Sequence, residues 1–128
     1  MNYLVRFLAA LVSISIIGCS SVKTEKMSDW TGYTESGKAS FYADKHQHNK
    51  TASGELYNHD LKTAAHRSLP FGTRVKVTNI KNGKTVIVRI NDRGPFIKGR
   101  VVDLSKSAFS SIGFPSSGLI DVKIEVIK

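Results

Sequence analysis

Arg74-Val75-Lys76-Val77-Thr78-Asn79-Ile80-Lys81-Asn82-Gly83-Lys84-Thr85-Val86-Ile87-Val88-Arg89-Ile90 reads as two alternating strands joined by a turn. Val75, Val77 and Asn79 share one face of the first run, and Val86, Val88 and Ile90 share one face of the second. Strand side chains point alternately to opposite sides, so a period of two marks a sheet with one buried face. The Asn82-Gly83 pair between the runs predicts a tight hairpin turn. Outward from this hairpin the pattern stays β. Ala39-Ser40-Phe41-Tyr42 and the small-residue run Thr63-Ala64-Ala65-His66 are strand candidates, and Ile120, Val122, Ile124 and Val126 make a last alternating strand. Leu69-Pro70-Phe71-Gly72 is a turn that feeds the hairpin. One helix interrupts the strands: Ser105 caps its start, Ala108, Phe109 and Ile112 form its apolar face, and Gly113 ends it. Short strands and one helix in about ninety residues predict a closed small barrel, because closure removes exposed edges.

The first 18 residues do not belong to that barrel. Arg6 supplies a positive n-region, Phe7 to Ile17 an apolar stretch too short to span a bilayer, and Gly18 a small residue before Cys19. Cys19 is the single cysteine of the 128-residue chain, so no internal disulfide is possible. Its place resembles the lipobox of bacterial lipoproteins, which implies a lipidated Cys19, with acyl chains holding the protein at a membrane. Ser20 in place of aspartate favours the outer membrane, with the domain facing the periplasm. The expected organisation is a signal over 1–18, the lipidated Cys19 and a flexible tether over 19–36, and the barrel over 37–128. Trp30 and Tyr33 stand out within the polar tether and either pack on the domain or sit at an interface. The formal net charge is +9, and loss of residues 1–18 removes only Arg6 and leaves +8. For an exported chain this charge suits anionic envelope polymers such as peptidoglycan rather than nucleic acid.

Between Thr51 and Asp103, four acid/base groups sit among turn residues, where binding and catalytic side chains concentrate. Glu55 follows Gly54 and precedes Leu56-Tyr57, a setting expected to desolvate its carboxyl and raise its pKa, or to leave it a solvated loop residue. His66 has small neighbours that leave room for an approaching group, or is a structural histidine bonded to backbone. Asp92 lies in Asn91-Asp92-Arg93-Gly94-Pro95, where it pairs with Arg93 or caps the turn. Asp103 sits at a strand-to-helix junction, where it caps the helix or points into a cleft. His46, His48 and His59 raise a metal reading, but a His-Glu-x-x-His spacing is missing, so neither a metal nor another cofactor is expected. A nucleophilic mechanism lacks a Gly-x-Ser-x-Gly motif.

Longer motifs carry a specific resemblance. Gly37-Lys38-Ala39-Ser40-Phe41-Tyr42, Thr51-Ala52-Ser53-Gly54-Glu55, the run from Leu61 to Thr73, Val88 to Phe96, and Gly99-Arg100-Val101-Val102-Asp103-Leu104-Ser105 resemble the rare lipoprotein A (RlpA) family, as does the lipobox. The resemblance covers Gly37 to Lys128. It implies a six-stranded double-psi β-barrel with a groove across one face. It also implies a periplasmic lytic transglycosylase acting on peptidoglycan strands, preferably those lacking stem peptides. Carried over by motif, Glu55, His66 and Asp92 take the family's catalytic positions, and Asp103 the Asp-Leu-Ser aspartate of related double-psi enzymes and expansins. Tyr42, Thr51, Ser53, Asn91 and Arg93 are the substrate-binding candidates, and Phe96 is assigned to core packing ahead of sugar stacking. The acid/base is Glu55 or Asp103, with Glu55 preferred on its motif. Many family members continue into a C-terminal SPOR domain that binds denuded glycan, and none is expected in this chain. The alternative is a noncatalytic peptidoglycan-binding or expansin-like wall-loosening lipoprotein. A third reading is a structural lipoprotein that recruits envelope proteins.

Overall fold

The computed structural model describes residues 29–128, so the signal segment, Cys19 and the first part of the tether lie outside the described residues. Six strands close into one barrel: β1 (Thr34–Phe41), β2 (Thr63–Ala65), β3 (Arg74–Asn79), β4 (Thr85–Asp92), β5 (Arg100–Leu104) and β6 (Ile120–Val126). Around the barrel the order is β1-β5-β2-β4-β3-β6. Two pairings are parallel, β1 with β5 and β2 with β4, and the other four are antiparallel. Each parallel pair carries a register shift, one between Lys38 and Ala39 and the other between Ala64 and Ala65. Such irregularities re-aim the side chains that follow them, and here the residues that follow are Ser40 to Tyr42 and His66.

The predicted hairpin is β3–β4, with Val75 opposite Val88 and Val77 opposite Val86. Its turn is longer than the two-residue form. Ile80 to Gly83 bridge the Asn79–Lys84 pair, and Gly83 takes φ 73°. The reason is Asn79, which is buried and donates through Nδ2 to the carbonyl of Ile112 while accepting from Lys81 N. The helix α1 (Lys106–Ile112) starts at Ser105, whose side chain accepts from Ala108 N at 3.3 Å. Its Ala108, Phe109 and Ile112 are fully buried and join Val75, Val88, Ile90 and Ile124 in one core.

The tether ends earlier than Ser36. Thr34, Glu35 and Ser36 pair with Glu125, Ile124 and Lys123 of β6, so the strand begins three residues before Gly37. Backbone bonding rather than apolar side chains makes this segment a strand, which hid it from a hydrophobicity pattern. Just ahead of it, Trp30 packs against the core and meets Tyr33 edge-on at 5.3 Å. Gly37 leaves no room for a side chain against β5. A Cβ there would lie 2.5 Å from Val101 Cγ1 and 3.0 Å from the carbonyl of Gly99. Gly37→Ala is therefore expected to destabilise the barrel by about 1–3 kcal/mol, the usual cost of overpacking. Thermal unfolding of Gly37→Ala, Val101→Ala and the double variant checks the cause. The double variant should lose less than the sum of the single losses, and strict additivity would place the strain elsewhere.

Candidate active site

The two bulged parallel pairs border one polar groove of about 360 Å³. The end of β1 supplies Ser40 and Tyr42, β4 supplies Asp92 and Arg93, and β5 supplies Arg100 and Asp103, with His46 at the margin. Ser40 and Asp103 are register partners in the parallel β1–β5 pair, and the Ser40 hydroxyl donates a hydrogen bond to Asp103 Oδ1. Burial raises the Asp103 pKa above the ordinary carboxylate range, opposed by Ser40 and by the positive charge of Arg100. Gly94 borders this carboxylate, with φ 123° and its Cβ position 3.7 Å from Asp103 Oδ2. Asp103 does not cap α1, since Ser105 fills that position.

Asp92 is a junction. Its Oδ1 accepts from the backbone N–H groups of Ala52 at 2.8 Å and Arg93 at 2.9 Å, and its Oδ2 accepts from the Tyr42 hydroxyl at 2.5 Å. Of the two readings of Asp92, the ion pair with Arg93 is not formed, and the carboxylate instead accepts from backbone N–H groups of the turn and of its own strand end. The Arg93 guanidinium turns instead to the carbonyls of His66 and Leu69 and lies 4.0 Å over the Phe71 ring. Tyr42 stacks on Tyr57 with ring centroids 4.2 Å apart, and burial followed by the neighbouring Asp92 pushes its phenol pKa well up. The tyrosine is thus a fixed donor with one edge open to the groove.

Glu55 and His66 were expected to share the groove with the two aspartates, and neither lines it. Glu55 stands on the flank with its side chain 42% exposed, gripped by both Nη atoms of Arg89 and by Asn91 Nδ2 at 3.2 Å. Arg89 holds its pKa below the ordinary value, against the expected elevation, because a cation favours the ionised form and solvent reaches the carboxyl. His66 is 2% exposed. Its Nδ1 accepts from Ser68 N and Leu69 N, each at 3.1 Å, so the ring proton sits on Nε2 and donates to Glu35 Oε2 at 3.0 Å. Glu35 also binds Arg67, which holds the carbonyl of Arg100 at 2.9 Å. His66 therefore lies buried behind the groove, and Glu35 is the partner that sequence reading assigned to the tether.

Of the remaining candidates, Thr51 and Asn91 are buried, and Thr51 Oγ1 bonds Ser53 Oγ and the carbonyl of Glu55 within the 51–55 turn. Ser53 N donates to the carbonyl of Asn91 at 3.2 Å, tying that turn to β4. These three shape the turn. Phe96, assigned to the core, is 80% exposed. Its place after Gly94-Pro95 carries it out of the barrel, and the pattern could not show that because a lone aromatic has no period. Of the histidines in the metal reading, His59 bonds Tyr57 and Asp44 through its two ring nitrogens, and His46 meets Tyr42 edge-on. Among the described residues, no three His, Cys, Asp or Glu side chains converge as metal ligands.

A closed six-stranded barrel with two bulged parallel pairings and a polar groove is a double-psi β-barrel domain. A family model described as lytic transglycolase matches residues 34–124. The endolytic peptidoglycan transglycosylase RlpA of Pasteurella multocida is 50% identical over 108 residues, which cover 84% of this chain and 37% of that protein. The protein of the same name from Vibrio cholerae is 52% identical over 96 residues, 75% of this chain and 36% of that one. This chain belongs to the RlpA family of lytic transglycolase domains, and it spans little more than a third of these relatives' length. Among solved structures, the Streptomyces papain inhibitor matches with a TM-score of 0.64 at 20% identity, over 77% of this chain and 97% of that one, and shares the fold. An expansin of Clavibacter michiganensis matches with a TM-score of 0.59 at 26% identity, over 75% of this chain and 51% of that one.

The raised pKa of Asp103 has a definite consequence for stability. A carboxyl that titrates higher in the folded chain than in the unfolded one stabilises the fold below its unfolded value, and that contribution is lost as pH rises through the folded value. Ser40→Ala removes a donor to the ionised form, so the Asp103 titration should move further up. Carboxyl-carbon NMR across a pH series measures it, and an unchanged or lowered midpoint would show that the hydroxyl does not favour the charged form.

Proposed function

We propose that this domain is a lytic transglycosylase that cleaves the β-1,4 bond between N-acetylmuramic acid and N-acetylglucosamine in peptidoglycan strands. The single observation that carries the reading is Asp103, a half-buried carboxyl in a sugar-sized polar groove with its pKa raised by burial. Membership of a family whose relatives bear that activity in their names supports the substrate class. A carboxyl that stays protonated above the ordinary range is suited to donate a proton to a leaving oxygen. In the proposed reaction Asp103 protonates the glycosidic oxygen as the bond to the muramic anomeric carbon breaks. The 6-hydroxyl of the same sugar then bonds to that carbon and returns its proton to Asp103, giving a 1,6-anhydro end without consuming water. Attack within one bound sugar exploits proximity, so no second carboxylate is required to activate water. Asp92, held by neutral donors, would stabilise the positive charge that develops on the ring. Glu55 would act at one remove, through Arg89 and Asn91, on the strand that carries Asp92.

A second reading, a noncatalytic glycan binder, is favoured by one observation. A variant of the Clavibacter michiganensis expansin, 25% identical with a TM-score of 0.58 over 75% of this chain and 51% of that one, is known in complex with cellohexaose. Mass spectrometry of strands lacking stem peptides, after incubation with the protein, separates the two. The enzyme yields anhydro-ended fragments, and the binder retains intact strands. Asp103→Asn should cut product release by about 10²–10⁴-fold, the usual scale of general acid catalysis, with strand retention preserved. Glu55→Gln should be milder. The opposite ranking would move the acid to Glu55.

We further propose that Cys19 is lipidated and anchors the domain to the outer membrane, facing the periplasm. The lipobox-like sequence ending in Gly18-Cys19 and the serine that follows support this. Cells expressing the full chain and fed a labelled fatty acid should yield a labelled membrane-fraction protein. Cys19→Ser should be unlabelled and leave that fraction, and label persisting in the variant would refute the assignment.

A further inference from the structure

Arg100 is the groove's one guanidinium that makes no hydrogen bond or ion pair among the described residues. Arg93 is engaged by two carbonyls and the Phe71 ring. The two groove carboxylates take their hydrogen bonds from neutral donors, Asp103 from the Ser40 hydroxyl and Asp92 from a phenol and two backbone N–H groups, and Arg100 acts on Asp103 only through its charge, with no direct contact. Arg100 is only partly exposed and lines the same cavity as both aspartates. Its backbone is fixed from behind, where Arg67 Nη1 donates to its carbonyl at 2.9 Å and Glu35 holds Arg67 at 3.0 Å. A partly desolvated cation in a preformed cavity is completed by an anion, and the planar guanidinium fork matches a carboxylate with two parallel bonds.

We propose that Arg100 receives the free lactyl carboxylate of a muramic acid residue and thereby selects strands that lack stem peptides. The inference deepens the reading of the groove as a peptidoglycan site and rests on it. In a strand without peptides the lactyl group ends in an anion, and in a peptide-bearing strand the same carbon is a neutral amide. Arg100 would therefore separate the two by charge at the sugar itself, with no contact to the peptide.

The test compares wild type with Arg100→Gln and Arg100→Lys on three substrates: strands with free lactyl carboxylates, the same strands converted to methylamides, and peptide-bearing strands. Product release gives kcat/KM, and retention of the strands gives Kd. Wild type should lose about 10–100-fold in one or both on amidation, the range for a hydrogen bond to a charged group. Arg100→Gln should handle free-acid strands worse by a similar factor and be indifferent to amidation. Arg100→Lys should fall between, keeping charge without the fork. Equal sensitivity to amidation in wild type and Arg100→Gln overturns the assignment while leaving the groove's function intact. Peptide-bearing strands taken as well as free-acid strands would assign Arg100 to a stem-peptide carboxylate and overturn the lactyl choice. Retention without cleavage leaves the Kd comparison to decide it. A wild-type protein that neither cleaves nor retains any strand overturns the peptidoglycan reading and this inference together. Thermal unfolding of each variant identifies a fold defect, in which case the lysine variant and amidation of the substrate alone carry the comparison.

Discussion

Asp92 accepts hydrogen bonds from Ala52 N, Arg93 N and the Tyr42 hydroxyl, and so joins the end of β1, the 51–55 turn and the end of β4. Asp92 lies 40 residues from Ala52 and 50 from Tyr42, and its carboxylate holds these segments together at the groove. Removing it would leave two backbone donors and the half-buried Tyr42 phenol without this acceptor, and a donor left unpaired away from water costs more than its bond contributes. Tyr42 in turn is pinned by Tyr57, whose hydroxyl accepts from Lys106 N at the first turn of α1. The wall of the groove is thereby tied to the helix that fills the core.

Around that junction the two groove aspartates differ in surroundings. Asp92 has several donors fixed on it, and Asp103 has one hydroxyl and a desolvated position. Fixed donors favour the ionised form of a carboxyl and desolvation the protonated form, so the two surroundings pull in opposite directions. Glu55 stands outside this contrast. Bound to Arg89 and open to solvent, it has the properties of a brace for the strand that ends in Asp92.

Much of the barrel could be read locally. Val75, Val77, Val86, Val88 and Ile90 alternate because each strand has one buried face, and Ser105 and Gly113 bracket α1 as caps do. What escaped was whatever depends on a distant partner. Thr34 to Ser36 carry no apolar pattern and are strand only because β6 lies beside them. The neighbours of Glu55 in sequence are apolar and suggested burial, whereas its partner in space is Arg89, 34 residues on. His66 was identified as important, yet its partner Glu35 lies 31 residues upstream in a stretch that looks like linker. For the site, the residue types were legible and their division between groove, flank and rear was not.

The strand order also bears on how the molecule is made. Strand β1, first in the chain, is hydrogen-bonded on one side to β5 and on the other to β6, and β3 likewise needs β6. A chain emerging amino end first can form the β3–β4 hairpin early, but it cannot seal its interior until residues 120–126 are available. Until then the apolar faces of β1 and β3 have open edges, the condition under which chains associate wrongly. Assembly dominated by such non-local pairings is slow, so the last strand sets when the barrel can close.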